Sequence, residues 1–329
     1  MKQPDLMALD PHARQLLALA RKAGHPPLQA LTPEKARAAY AASWEPMQSP
    51  GGVVASVQDI TIDGPGGALA LRVYRGEGVD PSSVVPCLLY LHGGGWVIGN
   101  LESHDRLCRR FANVANLCVV AVDYRLAPEH PFPAALDDCA AALKWVFDHA
   151  AGLGVDANAI GVGGDSAGGN LAASLALLER DGVLPALAYQ ALIYPALDLT
   201  ATSASYQSVM ADLPLSAQTM HYFIGHYLPN AEDRLDWRAS PLLAQSLVGV
   251  ASALVMTVAH DPLCDEGRAY AQRLDADGVR VTALHFNDQM HGLLGQGRMV
   301  PAADVIGDFV FRTVGYELYR AAARRSDSP

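Results

Sequence analysis

The chain has 329 residues, half of them hydrophobic and only 18% charged, which is enough apolar material for one large folded unit and too little charge for a disordered chain. Lys and Arg number 24 against 34 Asp and Glu, a formal net charge of -10, so counterion release gives no drive toward nucleic acid and anionic membranes do not attract the chain. No stretch reaches about 18 apolar residues without charge, so no membrane span is expected.

The opening residues, MKQPDLMALDPHARQLL, lack the continuous apolar core of a leader after the lysine. Residues 5–45 read as helical. Leu16, Leu17, Leu19 and Ala20 suggest an apolar face, and Thr32-Pro33 suggests an N-cap followed by proline at the first helical position. Gly and Pro then cluster at 49–52, 64–67 and 76–82, around two strand-like runs near 55–62 and 68–75. From Val84 apolar runs alternate with helical segments. The runs are 85–91, 117–122, 159–163, 187–193, 252–258 and 280–286, and the segments include 103–115, 134–150, 167–180 and 265–277. Near-continuous apolar strands alternating with helices predict a parallel sheet covered on both faces, an α/β fold. Residues 200–240 break the rhythm, with Tyr206, Tyr222, Phe223, Tyr227 and Trp237 but no clear strand. Such an insertion, with the N-terminal helices, could cover the C-terminal edge of the sheet, where open α/β sheets bind ligands. The one basic cluster, Arg320, Arg324 and Arg325, reads as a solvated helix end.

The five cysteines are odd in number and irregularly spaced, which reads as free thiols in a reducing compartment and suggests a cytoplasmic protein. Neither CxxC nor HExxH occurs, so no metal or cofactor is expected.

Three segments carry chemistry. The first is Gly164-Asp165-Ser166-Ala167-Gly168, a G-x-S-x-G between an apolar strand and an alanine-rich helix. A strand-to-helix turn this tight needs small flanking residues, and it would present Ser166 at a helix N-terminus, where negative charge is favoured. The competing reading, a phosphate loop, lacks both the glycine or alanine a dinucleotide fingerprint needs at 166 and the lysine of a Walker loop. The second is His92-Gly93-Gly94-Gly95-Trp96 after another apolar strand. Its backbone can come close to a substrate carbonyl, so the N–H groups of Gly93, Gly94 and Ala167 are assigned to an oxyanion hole. His92 reads as a structural brace. The third is the pair Asp261 and His291, each following an apolar strand, in the chain order Ser, Asp, His that this architecture uses. Serine needs such a base near neutral pH. Among the rivals, His285 reads as packed within a strand, Asp288 as a solvated loop residue, and Asp265 and Glu266 as the start of a helix.

Together these motifs resemble the hormone-sensitive-lipase-like (bacterial family IV) carboxylesterases of the α/β-hydrolase superfamily. The resemblance rests on HGGGW at 92–96, DYRLAPEHPFPAALDD at 123–138, GDSAGGN at 164–170, DPLCDEG at 261–267 and His291-Gly292, with DPHARQLL at 10–17 and SPLL at 240–243. It implies an eight-stranded, mostly parallel sheet flanked by helices, with a helical cap formed by 1–48 and 200–238 on a core of 49–199 and 239–329. It implies hydrolysis of short- to medium-chain acyl esters through an acyl-enzyme, with Ser166, Asp261 and His291 as triad. Trp96 and Tyr194 look like pocket walls. Asp165, grouped with the substrate-binding residues, marks the subgroup with aspartate before the nucleophile. The cap aromatics either line an acyl pocket or hold the cap together. Arg125 and Glu129 read as a pair bracing their proline-rich loop, with a substrate contact as the alternative.

The expected partner is a small-molecule ester. A homodimer through an exposed sheet edge is a further expectation, resting on analogy. An amidase or lactonase using the same triad, and a catalytically idle receptor of the same fold, are the other readings.

Overall fold

The computed structural model describes residues 8–80, 82–209 and 213–326. The first residues of the 5–45 helical expectation, 5–7, lie outside them. Two helices open the chain, α1 (Pro11–Ala23) and α2 (Pro33–Trp44). Each starts as its sequence dictates, with proline at the first turn and a side-chain cap. Asp10 accepts from the N–H groups of His12 and Ala13, and Thr32 accepts from Lys35. The buried face of α1 is Ala13 and Leu17; Leu19, expected on that face, is 47% exposed.

Strands β1 (Ser56–Gly64), β2 (Gly67–Arg75) and β3 (Val85–Leu91) follow, then α3 (Leu101–Ala115), β4 (Cys118–Val122), α4 (Ala134–Asp148) and β5 (Val155–Asp165). Next come α5 (Ala167–Arg180), β6 (Tyr189–Ile193) and two short helices of the inserted segment, α6 (Ala204–Ser208) and α7 (Ala217–Tyr227). The chain closes with β7 (Ala253–His260), α8 (Cys264–Ala276), β8 (Val281–Met290) and α9 (Pro301–Ser326). The eight strands form one sheet in the order β1-β2-β4-β3-β5-β6-β7-β8. Strand β2 pairs antiparallel with both of its neighbours; all the later pairs are parallel. The eight-stranded, mostly parallel α/β sheet is therefore as expected.

Burial explains why the central strands were readable. Every residue of β3, β4 and β6 is buried, because helices cover both faces. Leu89 and Leu91 join one core, with Val162 and Leu192, beneath α4 and α5. Leu88 and Tyr90 join the other, with Phe111 of α3 and Phe311 of α9. The last strand differs. As an edge strand β8 is largely half-buried or exposed, so His285 is exposed rather than packed, held by a 2.8 Å hydrogen bond between its Nδ1 and Thr257 Oγ1. Asp288 lies within this strand rather than in a loop. Helix α9 is the element the sequence pattern hid. It buries Ala303, Val310, Phe311, Val314 and Leu318 but leaves Val305, Phe309 and Tyr316 facing outward, which blurs the helical stripe. Among the described residues no helix is long and apolar enough to cross a membrane.

Candidate active site

The parallel strands deliver their C-terminal ends to one rim, and the three chemically interesting loops leave from there. Strand β5 ends at Asp165, and Ser166 follows with φ 57° and ψ -118°, a backbone conformation rare for a residue with a Cβ. The turn is held by Ser166 N–H donating to the Ile193 carbonyl at 2.9 Å and Ala196 N–H donating to the Ser166 carbonyl at 3.2 Å. A Cβ on Gly168 would overlap the Leu91 carbonyl oxygen, and one on Gly164 would overlap both that oxygen and the Gly168 backbone. These glycines are needed because the start of α5 lies directly against β3. Asn170, one turn into α5, donates from Nδ2 to the carbonyls of Ala196 and Ala239, both at 2.8 Å, and so fixes the loop after β6.

Strand β7 ends at His260, so Asp261 is the first residue beyond it, and His291 is the first beyond β8. Their side chains meet. His291 Nδ1 is 2.7 Å from Asp261 Oδ2, and His291 Nε2 is 2.9 Å from Ser166 Oγ. The other Asp261 oxygen accepts from Leu263 N–H at 2.9 Å. Asp261 is fully buried, and Ser166 and His291 are each 8% exposed. The Tyr194 ring lies 4.7 Å from the imidazole, and Trp44 of α2 packs over Gly292 and Gly295 just beyond it. A hydroxyl, an imidazole and a carboxylate in this line can move a proton away from the serine oxygen.

The glycine loop departs from its expected roles. Gly93 N–H donates to Asp165 Oδ1 at 3.0 Å, so it is engaged inside the protein and cannot also hold a substrate oxyanion. Gly94 (φ 124°) and Gly95 (φ 58°) turn the chain beyond it, and among the described residues the N–H groups of Gly94, Gly95 and Ala167 find no acceptor. Asp165, expected near substrate, faces inward. Its Oδ1 also accepts from the Tyr90 hydroxyl at 2.8 Å and lies 3.3 Å from His104 Nε2. Burial pushes the Asp165 carboxyl up, but His104, Tyr90 and His92 together outweigh burial and hold it below its ordinary range. His92 is a brace, as expected. Its Nδ1 is 2.8 Å from the Gly93 carbonyl and its ring stacks on Tyr124 at 4.2 Å. Burial, reinforced by His104, lowers its pKa to about 3.

Trp96 is fully buried and stacks flat on Tyr227 of α7, with ring centroids 4.4 Å apart, so it anchors the inserted segment instead of facing an opening. Phe223 of the same helix sits directly against Gly95. The Arg125–Glu129 pair does not form. Arg125 holds Asp138, and Glu129 holds Arg37 of α2, where two oppositely charged choices stood close in the sequence. Arg37 also donates to the carbonyls of Val97 and Ala127, tying α2 to the glycine loop. Glu266 is more than the start of a helix. It is 2% exposed, accepts from Leu197 N–H at 2.7 Å, and burial raises its pKa well above the usual carboxylate range. Arg37, Tyr90, His104 and Glu266 were invisible as site residues because the partners described above are 60 to 92 positions away. For Tyr90 alone a signal existed, the strand register that places it beside Gly163.

A cavity of about 490 Å³ opens between α2, the start of α3 and the loop after β4, on the Gly99–Asn100 side of the glycine loop. Its lining includes Arg37, Tyr40 and Arg125 but none of Ser166, Asp261 and His291. Among the described residues no group of three or more His, Cys, Asp or Glu could hold a metal ion.

Residues 88–295 match the profile of a family described as alpha/beta hydrolase fold. An ethyl acetate hydrolase of Pseudomonas putida is 38% identical over 306 residues, covering 92% of this chain and 94% of that protein. A carboxylic ester hydrolase of Mycobacterium tuberculosis is 42% identical over 246 residues, covering 72% of this chain and 64% of its own length. Among solved structures, an ester hydrolase from the metagenome of Lake Arreo superposes with a TM-score of 0.90 at 40% identity, covering 94% of this chain and 98% of that one.

Proposed function

This chain belongs to the hormone-sensitive-lipase-like carboxylesterases of the α/β-hydrolase superfamily, and from that premise we propose that it cleaves short- to medium-chain acyl esters through an acyl-enzyme on Ser166. The observation that carries the mechanism is the continuous line from Ser166 Oγ through the imidazole of His291 to Asp261, at 2.9 and 2.7 Å.

Ser166 Oγ attacks the ester carbonyl as its proton passes to His291 Nε2, and the carbonyl electron pair moves onto the oxygen. That oxyanion is held by the N–H groups of Gly94, Gly95 and Ala167, each contributing about 3 kcal/mol in the transition state. The dipole of α5 adds positive potential at the same place. The oxyanion collapses, the alkoxide leaves with the proton from His291, and Ser166 carries the acyl group. Water then attacks the acyl carbonyl while His291 takes its proton. Collapse of the second intermediate frees the carboxylic acid and returns a proton to Ser166. Asp261 keeps the imidazole in the tautomer whose Nε2 accepts. The reading of shorter acyl chains is supported by the packing of Trp44 against Gly292 and of Phe223 against Gly95, on two of the loops that carry the mechanism.

Ser166→Ala should abolish turnover of p-nitrophenyl butyrate, and an organophosphonate should label Ser166 alone. Retained turnover, or a label mapped to another serine, refutes the assignment. Matched ester, anilide and lactone substrates, followed across acyl lengths, test the ester preference and the chain-length range. Three further readings belong to this proposal. The segments 1–48 and 200–238 act together as the cap, supported by the contacts of α2 and α7 with the glycine loop, and exchanging the 200–238 segment should change the acyl-length profile. The enzyme works in the cytoplasm, supported by five buried free thiols, which cell fractionation would check. It dimerises through the exposed edge of β8, which sedimentation of a Leu284→Pro variant would test.

A further inference from the structure

The carboxylate beside the nucleophile does not face the substrate, and its contacts suggest another task. Side chains alternate along β5, so Asp165 falls on the same face as Gly161 and Gly163, the face that meets Tyr90 of β3 and the helix α3. Two hydrogen-bond donors and an imidazole at ion-pair distance, from three elements, converge there. Tyr90 OH comes from β3, Gly93 N–H comes from the glycine loop, and His104 Nε2 comes from α3. Tyr90, Asp165 and His104 are all buried, at 1%, 6% and 2% exposure. His104 is itself fixed by Ser103, whose Oγ lies 2.9 Å from its Nδ1. Gly93 leaves no room for adjustment, because a Cβ there would overlap the Asp165 carboxylate.

We propose that Asp165 is a positioning residue for the oxyanion hole: by gripping Gly93 N–H it holds the N–H groups of Gly94 and Gly95 at a fixed distance from the neighbouring Ser166. Asp165 is covalently joined to the nucleophile, and Gly93 is covalently joined to the first free donor. One hydrogen bond of 3.0 Å therefore links the segment that carries the attacking atom to the segment that carries the oxyanion donors. His104 and Tyr90 keep the carboxylate charged and aimed, which a buried charge requires. The inference rests on the serine mechanism proposed above.

The grip acts on the transition state, because the oxyanion exists only there and in the intermediates around it. Asp165→Ala should therefore lower kcat for p-nitrophenyl acetate by about tenfold to hundredfold, less than the roughly hundredfold to thousandfold of losing an oxyanion donor outright because the donors stay present but loosened, and leave KM within about twofold. Affinity for a boronic acid, which mimics the tetrahedral state, should fall by the same factor as kcat. Asp165→Asn keeps an acceptor for Gly93 N–H and should recover most of the lost kcat. Tyr90→Phe, a gentler change in case the alanine variant fails to fold, should lower kcat by a few-fold and boronate affinity in parallel. The inference is overturned if the folded variants lose thermal stability with kcat and boronate affinity unchanged, or if KM rises in step with the loss in kcat/KM. Ser166→Ala assayed alongside separates the two levels. Activity in that variant sinks the serine mechanism itself, whereas full activity in the Asp165 and Tyr90 variants sinks only the positioning role.

Discussion

Replacing Asp261 with asparagine tests the order of the proton path, because the structure fixes what the new amide must do. Both carboxylate oxygens are engaged by donors: Oδ2 lies 2.7 Å from His291 Nδ1, and Oδ1 accepts from Leu263 N–H at 2.9 Å. Asparagine offers one acceptor and one donor, so in either orientation its NH2 group meets a former partner. Turned toward Leu263, the NH2 would face a backbone N–H inside a fully buried site, leaving two unpaired donors at about 1–3 kcal/mol each. Turned toward His291, the NH2 is satisfied as soon as the imidazole moves its proton from Nδ1 to Nε2. That second arrangement is favoured, and it leaves Nε2 unable to accept the Ser166 proton. The expected result for Asp261→Asn is a fall in kcat of about 10⁴-fold, equal to about 5 kcal/mol of barrier. KM should change little, since no substrate contact is lost. The assay is steady-state hydrolysis of p-nitrophenyl acetate, with circular dichroism to establish folding. A kcat within tenfold of the parent in a folded variant would falsify the assigned role of Asp261.

Two other substitutions probe the frame around the site. Gly168→Ala places a methyl against the Leu91 carbonyl oxygen, which belongs to the central strand and cannot yield, so the variant should lose about 3 kcal/mol of stability and most of its activity in thermal and kinetic assays. The buried His92, whose pKa is lowered to about 3 from an ordinary 6.5, stays neutral in the fold while the unfolded chain gains a proton below pH 6.5. Its contribution to stability is thus complete above pH 6.5, falls as the pH drops toward 3, and has lost about 2 kcal/mol by pH 5. His92→Asn, which keeps a donor near the Gly93 carbonyl, should flatten the slope of unfolding free energy against pH between 6.5 and 5. Equal slopes in urea titrations of parent and variant would refute the claim.

How far the sequence could be read depended on the range of each interaction. The strands β3 to β7 were legible because strands covered on both faces must be apolar throughout, and the turn at Ser166 because its glycines act within five residues. Helix α9 escaped because Val305, Phe309 and Tyr316 occupy its outer face. His285 was misplaced because an apolar run cannot tell an edge strand from a central one. The charges around the proline-rich loop show the limit more sharply. Arg37, Arg125, Glu129 and Asp138 can be matched in more than one way, and proximity in the chain favoured Arg125 with Glu129. The fold chose differently, since α2 brings Arg37 across 92 positions to Glu129 and the first turns of α4 present Asp138 to Arg125. Residue types established that ions would pair there, and only the packing of α2 decided which.

The run of three glycines illustrates why reading residue types as equivalent donors misleads. Geometry gives the three N–H groups two directions. Gly93, two residues beyond the end of β3, directs its N–H to Asp165 at the end of β5. Gly94 and Gly95 then adopt φ values of 124° and 58°, in the region that favours glycine, and the chain reverses beneath Phe223. A side chain at 93 would collide with the carboxylate, one at 94 with the Ile98 carbonyl, and one at 95 with the Phe223 ring. Each glycine is thus required by a different neighbour: the strand carrying the serine, the loop itself and the inserted helix. The N–H groups proposed to hold the oxyanion lie where these three constraints meet, so their placement depends on the core and the cover of the protein at once.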